Sequence, residues 1–86
     1  MTEDAEAKLQ AIFRAALELP PHANVTRAGQ REVASWDSLA HAMLMLAIES
    51  EFGVAIDAAD QIRLTSYPAI RDYLEERVRA GGGTVP

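Results

Sequence analysis

The feature that most constrains this fold is the stretch from Leu39 to Ile48, in which His41 is the only polar side chain. A helix that is apolar on all sides is either enclosed by the fold or presents one apolar face to something outside it. The chain has 86 residues, and a chain this short buries only about 60–65% of the surface that its unfolded form exposes. Complete enclosure is therefore hard to arrange, and we expect part of this helix to be exposed.

This helix is predicted to span residues 38–52, because Asp37 is a good cap at its start and Gly53 a good stop at its end. One apolar stripe, assigned to the core, consists of Leu44, Met45, Ile48 and Phe52. A second stripe consists of Leu39, Ala42, Met43 and Leu46. Either a thin core absorbs the second stripe, since scattered exposed apolar residues are normal, or it is a docking face with Leu39 and Met43 as contacts.

Two further long helices and one short helix are predicted on either side of this element. Apolar residues recur at spacings of three and four over residues 3–19, and a proline pair ends that helix. A short helix or turn is predicted within residues 56–64, with Asp57 at its start. The last helix is predicted over residues 67–79, and Ser66 is its expected cap.

Residues 20–36 show no clear period, and we expect a long loop that Val25 and Val33 hold against the core. No segment of the sequence shows sustained β alternation. The sequence therefore predicts an all-α fold, a small four-helix bundle of three main helices and one short helix with a long loop after the first. We assign residues 1–79 to a single domain and the glycine-rich residues 80–86 to a disordered tail.

Composition excludes several functional classes. Lys and Arg total 8 against 13 Asp and Glu, a net charge of -5, which argues against a nucleic-acid-binding protein. The chain has no Cys, so it has no disulfide, no thiolate metal site and no thiol nucleophile. The acidic start is unlike a signal peptide, and the longest apolar run, Ala42 to Ile48, is shorter than the ~20 residues of a membrane span. We expect a cytoplasmic monomer that does not cross a membrane.

Ser38 falls in the first turn of the central helix, directly after the long loop. Backbone N–H groups without helical partners and the positive end of the helix dipole lie at such a position, so a phosphate attached to Ser38 would be favourably placed. The simpler alternative is that Asp37 and Ser38 only cap the helix.

A hydrolase and a metal site are the weaker interpretations. Asp37, Ser38 and His41 have the side chains of a nucleophile, a base and an orienting group. Adjacent residues do not face each other on a helix, and nothing in the sequence supplies an oxyanion hole, so we expect no enzyme. With two His and no Cys, we expect no metal site.

The order of motifs along the chain extends the interpretation of Ser38. Asp37-Ser38-Leu39 is followed by a mostly apolar helix that ends Glu49-Ser50-Glu51-Phe52-Gly53-Val54. A short apolar turn, Val54-Ala55-Ile56-Asp57, comes next, and the last helix opens with Pro68-Ala69-Ile70 followed by Tyr73-Leu74. In these motifs, and across about residues 3–78, the sequence resembles the acyl carrier and peptidyl carrier protein family.

The resemblance implies a four-helix bundle that carries 4′-phosphopantetheine, transferred from coenzyme A to the Ser38 oxygen by a phosphopantetheinyl transferase. The thiol of the arm would hold an acyl or aminoacyl group as a thioester, loaded by a ligase and passed to a downstream transferase or synthase. Asp37 would help the transferase to place its metal and the coenzyme. The resemblance implies a partner contact at Leu39, and we also expect partner contacts at His41, Met43 and Glu49.

The sequence departs from the family pattern after the serine, where housekeeping fatty-acid carriers have acidic residues and this chain has Ala40-His41-Ala42-Met43. A carrier with this face should depend more on apolar contact than on charge, which favours a specialised stand-alone carrier in lipid or secondary-metabolite biosynthesis. In acyl carriers the chain can fold into the bundle, and the candidate lining residues here are Leu44, Met45, Ile48, Ile62, Ile70 and Tyr73. The alternative is an unmodified helical adaptor that binds a partner through the second stripe.

Overall fold

The structure, a computed structural model, describes the backbone of residues 1–82 and the side chains of residues 1–77. It contains four helices in the order α1 (Glu3–Ala16), α2 (Ser38–Phe52), α3 (Ala58–Arg63) and α4 (Tyr67–Gly82). No strand is present in this described part, where the β pairing is one isolated bridge between Gly29 and Ser66. The predicted all-α bundle with a long first loop is confirmed. Within the same residues, no helix combines the length and the apolar character needed to cross a bilayer.

Helix α1 ends three residues earlier than predicted. Its start is capped by the Thr2 hydroxyl, which accepts from the Ala5 N–H at 3.0 Å. At its end, the Leu19 N–H donates to the Arg14 carbonyl at 2.8 Å while Glu18 adopts a left-handed φ of 54°. This Schellman closure turns the chain out of the helix before the proline pair is reached, so the prediction of a helix to residue 19 is wrong at its end.

The boundaries of α2 are confirmed, and both follow from local chemistry. The Asp37 carboxylate accepts from the Ala40 N–H at 2.9 Å, which satisfies one of the N–H groups that a helix start leaves without a partner. Gly53 follows the last residue with φ 64°, a left-handed conformation that glycine adopts without the steric cost of a Cβ.

The last two helices differ in how they are anchored. Helix α3 contains no buried residue and is held mainly by its neighbours Ile56 and Leu64, which are both buried. Helix α4 starts after Ser66, whose hydroxyl accepts from the Ala69 N–H at 3.2 Å, as predicted.

Helix α4 continues to Gly82, beyond the predicted end at residue 79. The described helix therefore includes residues 80–82 of the predicted tail, and residues 83–86 lie outside the described residues. Glycine lowers helix stability by about 1 kcal/mol per residue but keeps its N–H donor, so it weakens a helix end without forbidding it.

The core joins α1, α2, α4 and the long loop around Phe13. The ring of Phe13 makes edge-to-face contacts with Trp36 at 5.5 Å and Tyr67 at 5.0 Å between ring centroids. Val25 is fully buried and Val33 packs against the core, which confirms that these two residues hold the loop. The loop is also joined to α4 by the Tyr67 N–H, which donates to the Ala28 carbonyl at 2.9 Å. These contacts hold the loop that leads into α2 against the core.

Candidate functional site

Ser38 is the first residue of α2 and is exposed. Two N–H groups of this turn are used, because Ala40 donates to the Asp37 carboxylate and His41 to the Asp37 carbonyl at 2.8 Å. The N–H groups of Ser38 and Leu39 make no hydrogen bond with the described residues. The turn therefore offers an accessible hydroxyl beside two open donors, at the end of a helix that carries about half a positive charge.

A surface depression of about 310 Å³ lies beside this turn, between the end of α1 and the start of α2. Its polar side carries the carboxyl residues Glu18 and Asp37, and its apolar side carries Leu39 and Met43. The remaining lining residues are Ala16, Ser35 and Ala40. The contributions of Glu18 and Ser35 were missed in the sequence, because neither belongs to a helical stripe and the left-handed turn at Glu18 has no glycine to announce it.

The second stripe of α2 is exposed, as expected. We call this surface the α2 face; it consists of Leu39, Ala42, Met43 and Leu46. The exposed fractions of its three large side chains are 70% for Leu39, 54% for Met43 and 65% for Leu46. On the opposite side of the helix, Leu44, Met45 and Ile48 are buried. The docking role of the α2 face stays a prediction.

His41 lies between the start of α2 and α3, with both ring nitrogens engaged. The Trp36 Nε1–H donates to His41 Nδ1 at 3.0 Å, and His41 Nε2 lies 2.8 Å from the Gln61 carbonyl oxygen. An indole N–H can only donate and a carbonyl can only accept, so the ring is in the tautomer that carries its proton on Nε2. The two rings are also stacked, with centroids 6.0 Å apart.

These contacts decide how the side chains around Ser38 can be used. Because both nitrogens of His41 are engaged by Trp36 and Gln61, the ring does not present a base to the Ser38 hydroxyl. The Asp37 carboxylate caps the helix instead of orienting His41. In this arrangement neither Asp37 nor His41 is placed to take the proton of the Ser38 hydroxyl.

Two of the four predicted partner contacts have roles inside the chain. His41 is only partly exposed, and its nitrogens are used as described. The Glu49 carboxylate accepts from the Ile56 N–H at 2.7 Å and so holds the segment that leads into α3. Leu39 and Met43 remain the two predicted contacts whose side chains are free on the surface.

The structure does not bring the six candidate acyl-pocket residues together. Leu44, Met45, Ile48 and Ile70 belong to the packed core, and none of them lines a main surface depression in the described part of the chain. Tyr73 is half-buried and borders an open depression next to α3. Ile62 is 76% exposed, so it lies outside the core that Leu44, Met45, Ile48 and Ile70 share. The reason is that Ile56 and Leu64 occupy the core positions on either side of this six-residue helix.

The rest of the described surface has few groups suited to catalysis or to binding a ligand. Another depression, of about 480 Å³, is lined by Gly29, Gln30, Arg31, Glu32, Thr65 and Ser66 and contains none of the predicted site residues. Among the described residues, no group of three or more His, Asp or Glu could hold a metal ion. The turn around Ser38 and the adjoining α2 face are therefore the best candidate site.

Comparison of the sequence with known proteins identifies no relative that would assign a function to this site. No family model matches the chain, and no curated protein matches it. The function is therefore argued from the site.

Proposed function

We propose that this protein is a carrier that bears 4′-phosphopantetheine on Ser38 and presents a thioester-bound acyl or aminoacyl group to partner enzymes. The observation that carries the proposal is the exposed Ser38 hydroxyl at the first turn of α2, beside two N–H groups without partners and next to an exposed apolar face. A phosphodiester on this hydroxyl would place its negative charge at the positive end of the helix.

The residues of the site fit such a group. In the transfer, the Ser38 oxygen forms a bond to the phosphorus nearest the pantetheine of coenzyme A, the hydroxyl proton is released, and adenosine 3′,5′-bisphosphate leaves. The transferase must supply the base, because the ring nitrogens of His41 are already engaged. Once attached, the arm supplies a terminal thiol, the group that a chain without Cys cannot provide itself.

The α2 face supports docking of the partners, namely the transferase, a ligase that loads the cargo, and a downstream transferase or synthase. Leu39 and Met43 are exposed within about one and a half turns of Ser38, so an enzyme that reaches Ser38 also meets both side chains. The first turn of α2 contains no acidic residue. Contact through apolar side chains responds little to salt, and this favours a specialised carrier, acting in the cytoplasm as a monomer, over a charge-steered housekeeping one.

The first experiment is an intact-mass measurement after incubation with coenzyme A, Mg²⁺ and a phosphopantetheinyl transferase of broad specificity. We expect the mass to rise by one phosphopantetheinyl group. Ser38→Ala should gain nothing. Ser35→Ala is the matched control, because Ser35 is also exposed and lies three residues before Ser38, and it should be modified like the wild type. Modification that persists in Ser38→Ala, or no modification by a transferase shown to be active, contradicts the proposal.

The second candidate is an unmodified adaptor, which the exposure of Leu39, Met43 and Leu46 favours. The two candidates differ in which substitution abolishes function. A carrier loses function in Ser38→Ala while it stays folded. An adaptor tolerates that change but fails in Met43→Glu, which puts a charge into the α2 face.

A further inference from the structure

Three parts of the chain meet at His41. Trp36 is the last buried residue of the long loop, His41 lies in the first turns of α2, and Gln61 belongs to α3. We call the hydrogen-bonded chain from Trp36 Nε1–H to His41 Nδ1 and from His41 Nε2–H to the Gln61 carbonyl the His41 clamp. One side chain thus ties both the loop and α3 to the turn that carries Ser38.

We propose that His41 is a positioning residue that holds α3 and the end of the long loop against the start of α2, and that protonation of its ring opens the loop side of the clamp. The inference concerns the unmodified protein, so it holds or fails separately from the carrier proposal.

The dependence of α3 on this contact follows from its lack of core anchoring. Helix α3 has six residues, none of them buried. Within the helix, the Gln61 side chain donates back to the Ile56 carbonyl at 3.0 Å, and Asp60 pairs with Arg63. These bonds stabilise the helix itself but do not join it to α2. Glu49 of α2 holds Ile56, ahead of α3, and among the described residues the bond from His41 is the hydrogen bond that joins α3 itself to α2.

Protonation acts on the two halves of the clamp in opposite ways. A second proton on the ring would sit on Nδ1, which now accepts from the Trp36 N–H, and would place two donors against each other. The bond from Nε2–H to the Gln61 carbonyl would persist, because a charged donor forms a stronger hydrogen bond. Acidification should therefore release the indole, in the loop that leads into Asp37 and Ser38, while α3 stays attached.

The charged groups around the clamp are few. The Asp37 carboxylate caps α2 through Ala40. On α3, Asp60 and Arg63 form their own pair, and Asp57 is exposed at the start of the helix. The segment of α1 that packs on Trp36 contributes the uncharged ring of Phe13. The Trp36 side of the clamp therefore depends on the protonation state of His41 itself.

The chain offers its own reporter, since Trp36 is its single tryptophan. We expect a sigmoidal loss of Trp36 fluorescence, with an upfield shift of its single indole N–H resonance, in an acid pH titration, because protonation of the His41 ring removes the acceptor of the indole N–H. His22→Gln is the matched control, because His22 is the other histidine and is exposed in the loop; it should keep the transition. His41→Gln should abolish it. A transition that survives in His41→Gln, or none in the wild type, overturns the proposal.

Hydrogen exchange tests the α3 side of the clamp. In His41→Leu, which removes both bonds, we expect the amides of Gln61 and Leu64 to exchange roughly fivefold faster, the loss that corresponds to one hydrogen bond. The amide of Ile70 in α4 serves as the internal reference for global stability. His41→Gln keeps a donor that can reach the Gln61 carbonyl and should restore slow exchange. Equal acceleration in α3 and α4 would mean that His41 only stabilises the whole fold, and would overturn the positioning role.

Discussion

The phenol of Tyr67, the first residue of α4, donates a hydrogen bond of 3.1 Å to the carboxylate of Glu6 in α1. Arg71, one turn further along α4, lies 3.1 Å from the same carboxylate as an ion pair. The Tyr67 ring is buried against Phe13, so the contact joins the first and last helices at the edge of the core. Burial raises the pKa of Tyr67, and the bond to Glu6 adds to this increase.

The raised pKa of Tyr67 predicts a loss of stability at alkaline pH. The unfolded chain loses the phenolic proton near pH ~10, whereas the folded protein keeps it to a higher pH. The contribution to stability is therefore complete below the ordinary tyrosine pKa and is lost as the pH rises through the folded value. Urea unfolding on both sides of this range should show a smaller decrease in Tyr67→Phe than in the wild type, and an equal decrease would contradict the argument.

Tyr73 provides the matched comparison for that experiment. Burial also raises its pKa, while the Arg77 guanidinium, 2.6 Å from the hydroxyl, opposes the rise and the Asp60 carboxylate adds to it. With two tyrosines in the chain, Tyr73→Phe leaves Tyr67 as the only phenol, so its ionisation can be followed alone by tyrosinate absorbance. We expect that single titration to lie above the tyrosine range of an unfolded peptide.

Glu18 predicts a stabilising substitution. Its φ of 54° costs a residue with a Cβ about 1–2 kcal/mol, and glycine at this position would not bear that cost. Part of the resulting gain in stability is offset, because glycine has greater conformational freedom in the unfolded chain. We expect Glu18→Gly to raise the free energy of unfolding by about 0.5 kcal/mol. Glu18→Ala removes the same carboxylate but keeps the strain, so its stability should stay at or below that of the wild type. If both variants are equally stabilised, charge and not backbone conformation is responsible.

Asp37 has a structural role that can be separated from a role in modification. Loss of the cap in Asp37→Ala should lower stability by about 1 kcal/mol. Asp37→Asn keeps an oxygen that can accept from the Ala40 N–H and should be nearly as stable as the wild type. In the transfer assay, slow modification of Asp37→Asn would indicate that the transferase needs the negative charge of Asp37. Modification of this variant at the wild-type rate would show that Asp37 acts only as the cap of α2.

The exposed fractions of the apolar side chains on α2 and α3 predict which of these residues the fold needs for stability. Met43→Ser and Ile62→Ser should change the free energy of unfolding by no more than about 0.5 kcal/mol, because both side chains are largely exposed. Leu44→Ala, one position along α2 from Met43 but fully buried, should cost about 2–5 kcal/mol. Thermal unfolding of the three variants checks this directly. A large loss in Ile62→Ser would mean that α3 packs more tightly than its burial indicates.

The bounds of α2 could be predicted because its signals are local. Asp37 and Gly53 act on N–H and carbonyl groups within one turn of themselves, so their effects need no other part of the chain. The end of α1 could not be predicted in the same way. Glu18 takes a left-handed conformation there, and no residue preference indicates that conformation in a glutamate.

The all-α class, the limits of α2 and the split of its apolar residues into a buried and an exposed stripe follow from the sequence alone, because helical periodicity and capping act over neighbouring residues. The surroundings of His41 and Ile62 instead depend on the packing of the folded chain. His41 became a link between the loop and α3 because Trp36 and the Gln61 carbonyl both lie next to it, and Ile62 was left outside because Ile56 and Leu64 fill the core on either side of α3. Both outcomes depend on which segments, distant in sequence, pack against each other, and the spacing of residues along the chain does not predict such contacts.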